Sequence, residues 1–316
     1  MKALLFVHIP KTAGTSFRTA ASKYFGARSI LNDYGAHAPE TSREVLENTY
    51  RQKDYWTIYQ HIEKNAISML CGHIPARRYV HGLGVDNTVV FFREPVQRLY
   101  SEYQHFVRNK GYEGTFREYF SRPAKVNAQQ KLMDGVPLQA LGFIGLTEEY
   151  ERSLEMLNHK YGTQLKPLVE NVGRQSLDEA HQPSGEDIQL ALELNHKDVQ
   201  LYKNAVHLFN QRKALFERGK AFTHGRIVEI SGKKVVGWAW SDGVDDEPLA
   251  IRVRINGSVV DEVLASTFRS KLCYLSPPRG ACVSFSANYG AKAGDLLDCE
   301  VVSTGQIFPA HPIKIQ

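Results

Sequence analysis

Leu4-Leu5-Phe6-Val7-His8-Ile9-Pro10-Lys11-Thr12-Ala13-Gly14-Thr15-Ser16-Phe17-Arg18 decides the fold class of this 316-residue chain. An apolar run suited to a buried strand passes into a loop of small residues carrying one lysine, and the loop passes into a helix. The first turn of a helix presents unpaired N–H groups and a partial positive charge, so a small-residue loop at that point cradles an anion. Gly14 lets the anion approach the backbone, and the hydroxyls of Thr12, Thr15 and Ser16 add donors around Lys11 and Ala13.

The order of residues excludes the commonest phosphate loop. A Walker A loop ends in Gly-Lys-Ser/Thr, whereas Lys11 stands ahead of Gly14 and no such triplet occurs in the chain. A second strand-to-helix step lies at Val89-Val90-Phe91-Phe92-Arg93-Glu94-Pro95-Val96-Gln97-Arg98-Leu99-Tyr100-Ser101. Pro95 suits the first helical turn, where its missing N–H is no loss. Val96, Leu99, Tyr100, Tyr103, Phe106 and Val107 recur at helical spacing as the buried stripe, which leaves Gln97, Arg98, Ser101, Glu102 and His105 as the polar side.

The lysine-first loop resembles the 5′-phosphosulfate loop of sulfotransferases that use 3′-phosphoadenosine 5′-phosphosulfate (PAPS), in particular the carbohydrate branch that includes heparan sulfate 2-O-sulfotransferase. The second segment resembles that family's 3′-phosphate site, where a strand-end arginine and a serine eight positions on hold the phosphate; here these are Arg93 and Ser101. A guanidinium can hold two phosphate oxygens in charge-assisted bonds, roughly twice as strong as neutral ones. Glu94 stands where the family usually has aspartate. By itself, a strand-end arginine is equally well read as the partner of a surface carboxylate.

Between these segments lies Ser68-Met69-Leu70-Cys71-Gly72-His73-Ile74-Pro75, and relatives place a catalytic histidine in such a Gly-His pair. The resemblance makes His73 the base that takes the acceptor's hydroxyl proton, a task for which imidazole is suited near neutral pH. It makes Lys11 the group that stabilises the departing bridging oxygen, and it implies no metal. Taken alone, one histidine among twelve is more simply a satisfied structural residue. Heparan-type relatives have a second histidine two positions earlier, where this chain has Cys71. Cys71 and His73 alone fall short of a zinc site. His8 is expected to pack or hydrogen-bond at its strand end.

The expected architecture is an α/β domain over residues 1–223, with a P-loop-like parallel sheet flanked by helices, and an all-β sandwich domain over residues 224–316. Strands near 3–9, 67–72 and 88–93 put all three motifs at the carboxyl ends of a parallel sheet, where ligands bind. Phe143-Ile144-Gly145-Leu146 reads as a further strand, followed by a helix capped by Thr147. Residues 186–218 read as two helices broken near Asn195. Asn171-Val172-Gly173-Arg174-Gln175-Ser176 reads as a polar loop; relatives fold a late basic loop over the nucleotide, so the resemblance implies Arg174 as a further nucleotide contact. The family resemblance covers roughly the first 220 residues.

From His224 onward short alternating runs separated by turns such as Asn256-Gly257 indicate hairpins and a sandwich. Gly237-Trp238-Ala239-Trp240 resembles small β-domains appended to bacterial carbohydrate-active enzymes, with both indoles on one face as core or as a sugar platform.

Composition, 42% hydrophobic and 23% charged, is that of a folded globular protein. The basic excess, 39 Lys and Arg against 34 Asp and Glu, is modest and without long basic runs, which argues against nucleic acid as a partner and suits an anionic nucleotide. No run reaches the roughly 20 apolar residues of a membrane span, and no signal-peptide pattern is present. Eukaryotic carbohydrate sulfotransferases of the kind this chain resembles are usually anchored in the Golgi, so the resemblance implies a cytoplasmic, bacterial enzyme, and its four cysteines read as free thiols. Its acceptor would be a saccharide or glycolipid-like hydroxyl, and a homodimer is left open. The rival readings are an atypical P-loop kinase and a non-catalytic saccharide-binding protein.

Overall fold

The computed structural model describes residues 2–167, 183–243 and 247–316. Five short strands, β1 (Leu4–Val7), β2 (Ile30–Asn32), β3 (Met69–Gly72), β4 (Thr88–Phe92) and β5 (Phe143–Leu146), form one sheet in the order β2-β3-β1-β4-β5, with every pairing parallel. All residues of β1, β3, β4 and β5 are buried, as an all-parallel sheet covered on both faces requires. The expected α/β fold is thus observed, and β2 is a strand that sequence patterning did not reveal. β1 lies at the centre of the sheet, so the loop after it opens between β3 and β4 at the carboxyl edge.

The two expected helices with a break at Asn195 are present as Gly185–Leu194 and His196–Glu217. Thr147 does not cap the helix Tyr150–Tyr161; its hydroxyl donates to the Phe92 carbonyl at 3.0 Å and ties β5 to the end of β4. In the helix Pro95–Lys110 the expected polar side is only partly polar in its surroundings. Arg98 and Glu102 are buried and paired at 2.9 Å, Lys125 reaches Glu102 at 2.8 Å, and Val107 is exposed. A buried cation and carboxylate one turn apart neutralise each other, which helical spacing alone does not reveal.

Eight further strands follow: β6 (Thr223–Ser231), β7 (Lys234–Ser241), β8 (Ala250–Ile255), β9 (Ser258–Leu264), β10 (Thr267–Phe268), β11 (Cys282–Asn288), β12 (Leu296–Val301) and β13 (Ile307–Lys314). They form two antiparallel sheets, β10-β11-β7-β6 and β13-β12-β8-β9. Val235, Ala239, Val253, Phe285, Leu297 and Phe308 from both sheets share one buried core, which makes the pair a sandwich.

Period-two alternation turns the opposite face of β7 away from that core. Trp238 and Trp240, each 1% exposed and stacked with ring centroids 4.7 Å apart, belong instead to the buried cluster of the α/β part. They are core, not a sugar platform. The same junction holds Asp242, which pairs with Lys160 and Arg212 and accepts from His224 Nε2 at 2.8 Å. Burial opposes its charge, but Arg212, Lys160 and His224 hold its carboxyl well below the ordinary range.

Candidate active site

The site is built at the carboxyl ends of β1, β3 and β4. After β1, Lys11 and Ala13 adopt left-handed backbone conformations, with φ of 67° and 62°. Such conformations are costly for residues with a side chain and persist where surrounding structure enforces them. They lead directly into the helix Gly14–Phe25, which begins with no side-chain cap and no acidic residue in its first turn. Its first N–H groups form the positive end of the helix, and no carboxylate of its own first turn meets them, as in a phosphate loop. The Thr12 hydroxyl braces the loop by donating to the Ile9 carbonyl at 2.9 Å. Thr15 is exposed, while Ser16 and Gly14 are buried.

Gly14 answers a packing demand beyond an open backbone. A Cβ there would lie 2.0 Å from Cδ2 of the buried His8 ring, so any side chain would displace that imidazole. His8 packs and hydrogen-bonds as expected: its Nδ1 meets the Tyr34 hydroxyl at 2.8 Å. Burial first, and the neighbouring His73 and Arg18 after it, lower its pKa to about 3, so the ring is neutral at physiological pH.

His73 follows β3 directly. Its Nδ1 lies 2.6 Å from the carbonyl oxygen of His8, and because a carbonyl only accepts, Nδ1 carries the proton. In the neutral ring Nε2 is then the lone-pair nitrogen. The ring reaches solvent, yet the protein crowded around it, with a smaller push from Arg18, lowers its pKa from the ordinary imidazole value. Tyr34 meets the ring edge-on at 4.8 Å between centroids, and His8 packs on it at 4.5 Å. Cys71, buried with its thiol pushed up to about 11 by burial, donates to Asn32 Oδ1 at 3.1 Å and is an inert neighbour.

The third strand end brings Arg93 to the loop: its Nη1 donates to the Lys11 carbonyl at 3.4 Å. Gln129, fully buried, accepts from the Arg93 N–H at 3.1 Å and donates to the Arg93 carbonyl at 2.9 Å. Asp198, in the helix His196–Glu217, accepts the N–H groups of Gln129 and Gln130 at 3.2 and 2.8 Å and so fixes the segment that holds Arg93. Glu94 caps the next helix, accepting from Val96 N–H at 3.1 Å and Gln97 N–H at 2.7 Å. Ser101 is half-buried two turns along that helix.

Burial lowers the Lys11 pKa, and the charges of Arg93 and Arg108 lower it further. The same cationic surroundings lower His105, where burial leads and Lys11, Lys110 and Arg108 add to it. Cations crowded this closely are stabilised by an anion placed among them. Arg174 lies outside the described residues, so its place relative to the site is not part of this geometry.

The sequence assigns no role at the site to Tyr34, Arg18, Gln129 or Asp198. Arg18, three residues beyond Thr15 on the helix, stacks its guanidinium 5.8 Å from the Tyr34 ring centroid, and its buried Nε has no hydrogen-bond partner among the described residues. Spacing from Thr15 was the one available signal for Arg18; Tyr34 and Gln129 lie in segments with no motif of their own. A different group, Asp86, His224 and Asp242, gathers donor atoms within 4.8 Å of one another, but Lys160 and Arg212 already neutralise its carboxylates, and like charge opposes a metal ion there.

A small-residue loop after the central strand, an arginine from the next strand and a histidine from the strand on its other side thus meet at one edge of a P-loop-like α/β protein. The profile of the Sulfotransferase family matches residues 2–170, more than half of the chain, and the protein belongs to that family. No curated protein and no solved structure matches the chain. Among the described residues no helix is long and apolar enough to cross a membrane.

Proposed function

We propose that the protein transfers a sulfuryl group from PAPS to a hydroxyl of a saccharide or glycolipid-like acceptor. The observation that carries this reading is the convergence of Lys11, Arg93 and His73 from three neighbouring strand ends, with the imidazole held in the tautomer that leaves Nε2 free to accept a proton.

In the proposed reaction the acceptor oxygen attacks sulfur in line while the bond from sulfur to the bridging phosphate oxygen breaks. His73 Nε2 takes the hydroxyl proton, and Lys11 stabilises the negative charge on the leaving oxygen. The products are a sulfate ester and adenosine 3′,5′-bisphosphate. Backbone N–H groups from Thr12 to Ser16 cradle the 5′-phosphosulfate, and Arg93 with Ser101 holds the 3′-phosphate. Most of the acceleration then comes from positioning and from charges fixed before reaction. Arg174 is proposed as a further nucleotide contact, residues 1–223 as the nucleotide-binding domain and 224–316 as an accessory domain.

Two experiments test this. Thermal unfolding should shift upward with adenosine 3′,5′-bisphosphate and much less with ATP, since a ligand bound only to the folded state raises the midpoint by mass action. The reverse preference would favour a kinase. Incubation with ³⁵S-labelled PAPS and a panel of glycans, dextran and desulfated heparin among them, should label at least one glycan; nucleotide binding with no labelled acceptor would favour a saccharide-binding protein without activity.

A further inference from the structure

We propose that His8 is a positioning residue that couples the base to the donor cradle, an inference resting on the reading of His73 as the base. His8 touches His73 twice. Its carbonyl receives the Nδ1 proton at 2.6 Å, and its ring packs against the His73 ring with centroids 4.5 Å apart. The His8 ring also fills the space in which a Gly14 side chain would stand, with Cδ2 2.0 Å from the ideal Cβ position. One imidazole is thus in contact with both the base, whose ring it meets at 54°, and the space beside the first residue of the cradle helix, so its position links the two.

Tyr34 fixes that imidazole from the edge. Its hydroxyl bonds to His8 Nδ1 at 2.8 Å, and its ring simultaneously meets His73 edge-on at 4.8 Å. His73 is therefore confined by the carbonyl, the His8 ring and the Tyr34 ring, and among the described residues no hydrogen bond engages its Nε2. His8 is not itself the base: it is 6% exposed and its Nδ1 is committed to Tyr34. Misplacement of a reacting group by about 1 Å can cost roughly a hundredfold in rate, so a side chain in contact with both base and cradle is a direct lever on turnover.

The test uses the full-length chain labelled with ¹⁵N-histidine, as wild type, His8→Phe, Tyr34→Phe and His73→Ala. Readouts are the His73 tautomer and ring resonances by NMR, the affinity for adenosine 3′,5′-bisphosphate, and turnover of PAPS with water or desulfated heparin as acceptor. Wild type should show His73 as a single Nδ1–H tautomer. His8→Phe keeps the residue 8 carbonyl and so the Nδ1–H tautomer, but should shift the His73 ring resonances and lose about tenfold or more in turnover, with nucleotide affinity within about threefold of wild type. Tyr34→Phe, which keeps the ring and loses only the hydroxyl, should change the same quantities in the same direction by a smaller factor. Unshifted His73 ring resonances and wild-type turnover in His8→Phe would overturn the proposal; if that variant does not fold, the same result in Tyr34→Phe overturns it. Full turnover in His73→Ala would instead remove the base itself, so the two failures are told apart.

Discussion

Arg93 and Lys11 stand 82 residues apart in sequence, yet the Arg93 Nη1 donates to the Lys11 carbonyl at 3.4 Å. Two cations are thereby held at one loop, and the backbone of each belongs to a neighbouring parallel strand end. Lys11 pays for this in basicity, since burial and then Arg93 lower its pKa. A multiply charged anion reaching both would relieve this crowding.

Arg93→Ala should weaken adenosine 3′,5′-bisphosphate much more than AMP, because only the former carries the 3′-phosphate assigned to Arg93. Loss of a charge-assisted bond costs about 1.5 to 3 kcal/mol, or roughly 10- to 150-fold in affinity. Titration calorimetry with both nucleotides checks this, and equal losses would remove the assignment.

His73→Ala should lower turnover by roughly 10² to 10⁴ with nucleotide affinity nearly unchanged, as for a general base that does not touch the donor. A folded variant that no longer binds nucleotide would show a structural role instead. Lys11→Ala should also lose turnover at saturating PAPS, because the charge it meets develops at the leaving oxygen; undiminished turnover there would exclude Lys11 from the mechanism.

Arg18→Gln should move the acid limb of the pH profile upward. Arg18 lowers the His73 pKa, after the larger effect of burial, so its removal raises that pKa. A base must be unprotonated to act, and a higher pKa means that turnover falls off at a higher pH as the solution is acidified. A profile of kcat against pH for the two proteins decides it; a limb that stays in place or moves to lower pH contradicts the electrostatic link.

Asp242→Asn should destabilise the fold by about 3 to 5 kcal/mol, the typical cost of leaving buried cations without their partner. Arg212, Lys160 and His224 all converge on that carboxylate. Its folded-state pKa is depressed, so its contribution is present above the unfolded carboxylate value near 3.9 and is lost as pH falls below it. Urea unfolding at neutral pH measures the loss, and a variant within about 0.5 kcal/mol of wild type would show the network to be dispensable.

Local pattern by itself determined the motifs and the strand ends that carry them. The apolar run before Lys11, the Gly72-His73 pair and the Arg93 step each end a buried strand within a few residues of the expected position, because a buried parallel strand must be continuously apolar and its ligand loop must begin where that run stops. The turns and alternation after His224 likewise announce two antiparallel sheets. Tertiary structure alone decided what each polar side chain meets. Arg98 and Glu102 have the spacing of a solvent-facing pair and are buried; Trp238 and Trp240 serve the α/β core from a strand of the sandwich; and Gly14 is small because His8 occupies its side-chain space. Periodicity reports which residues share a face of one element, whereas the partner of that face is chosen by packing between elements distant in sequence. The Asp198, Gln129 and Arg93 relay and the fit of His8 against both Gly14 and His73 are relations of that second kind.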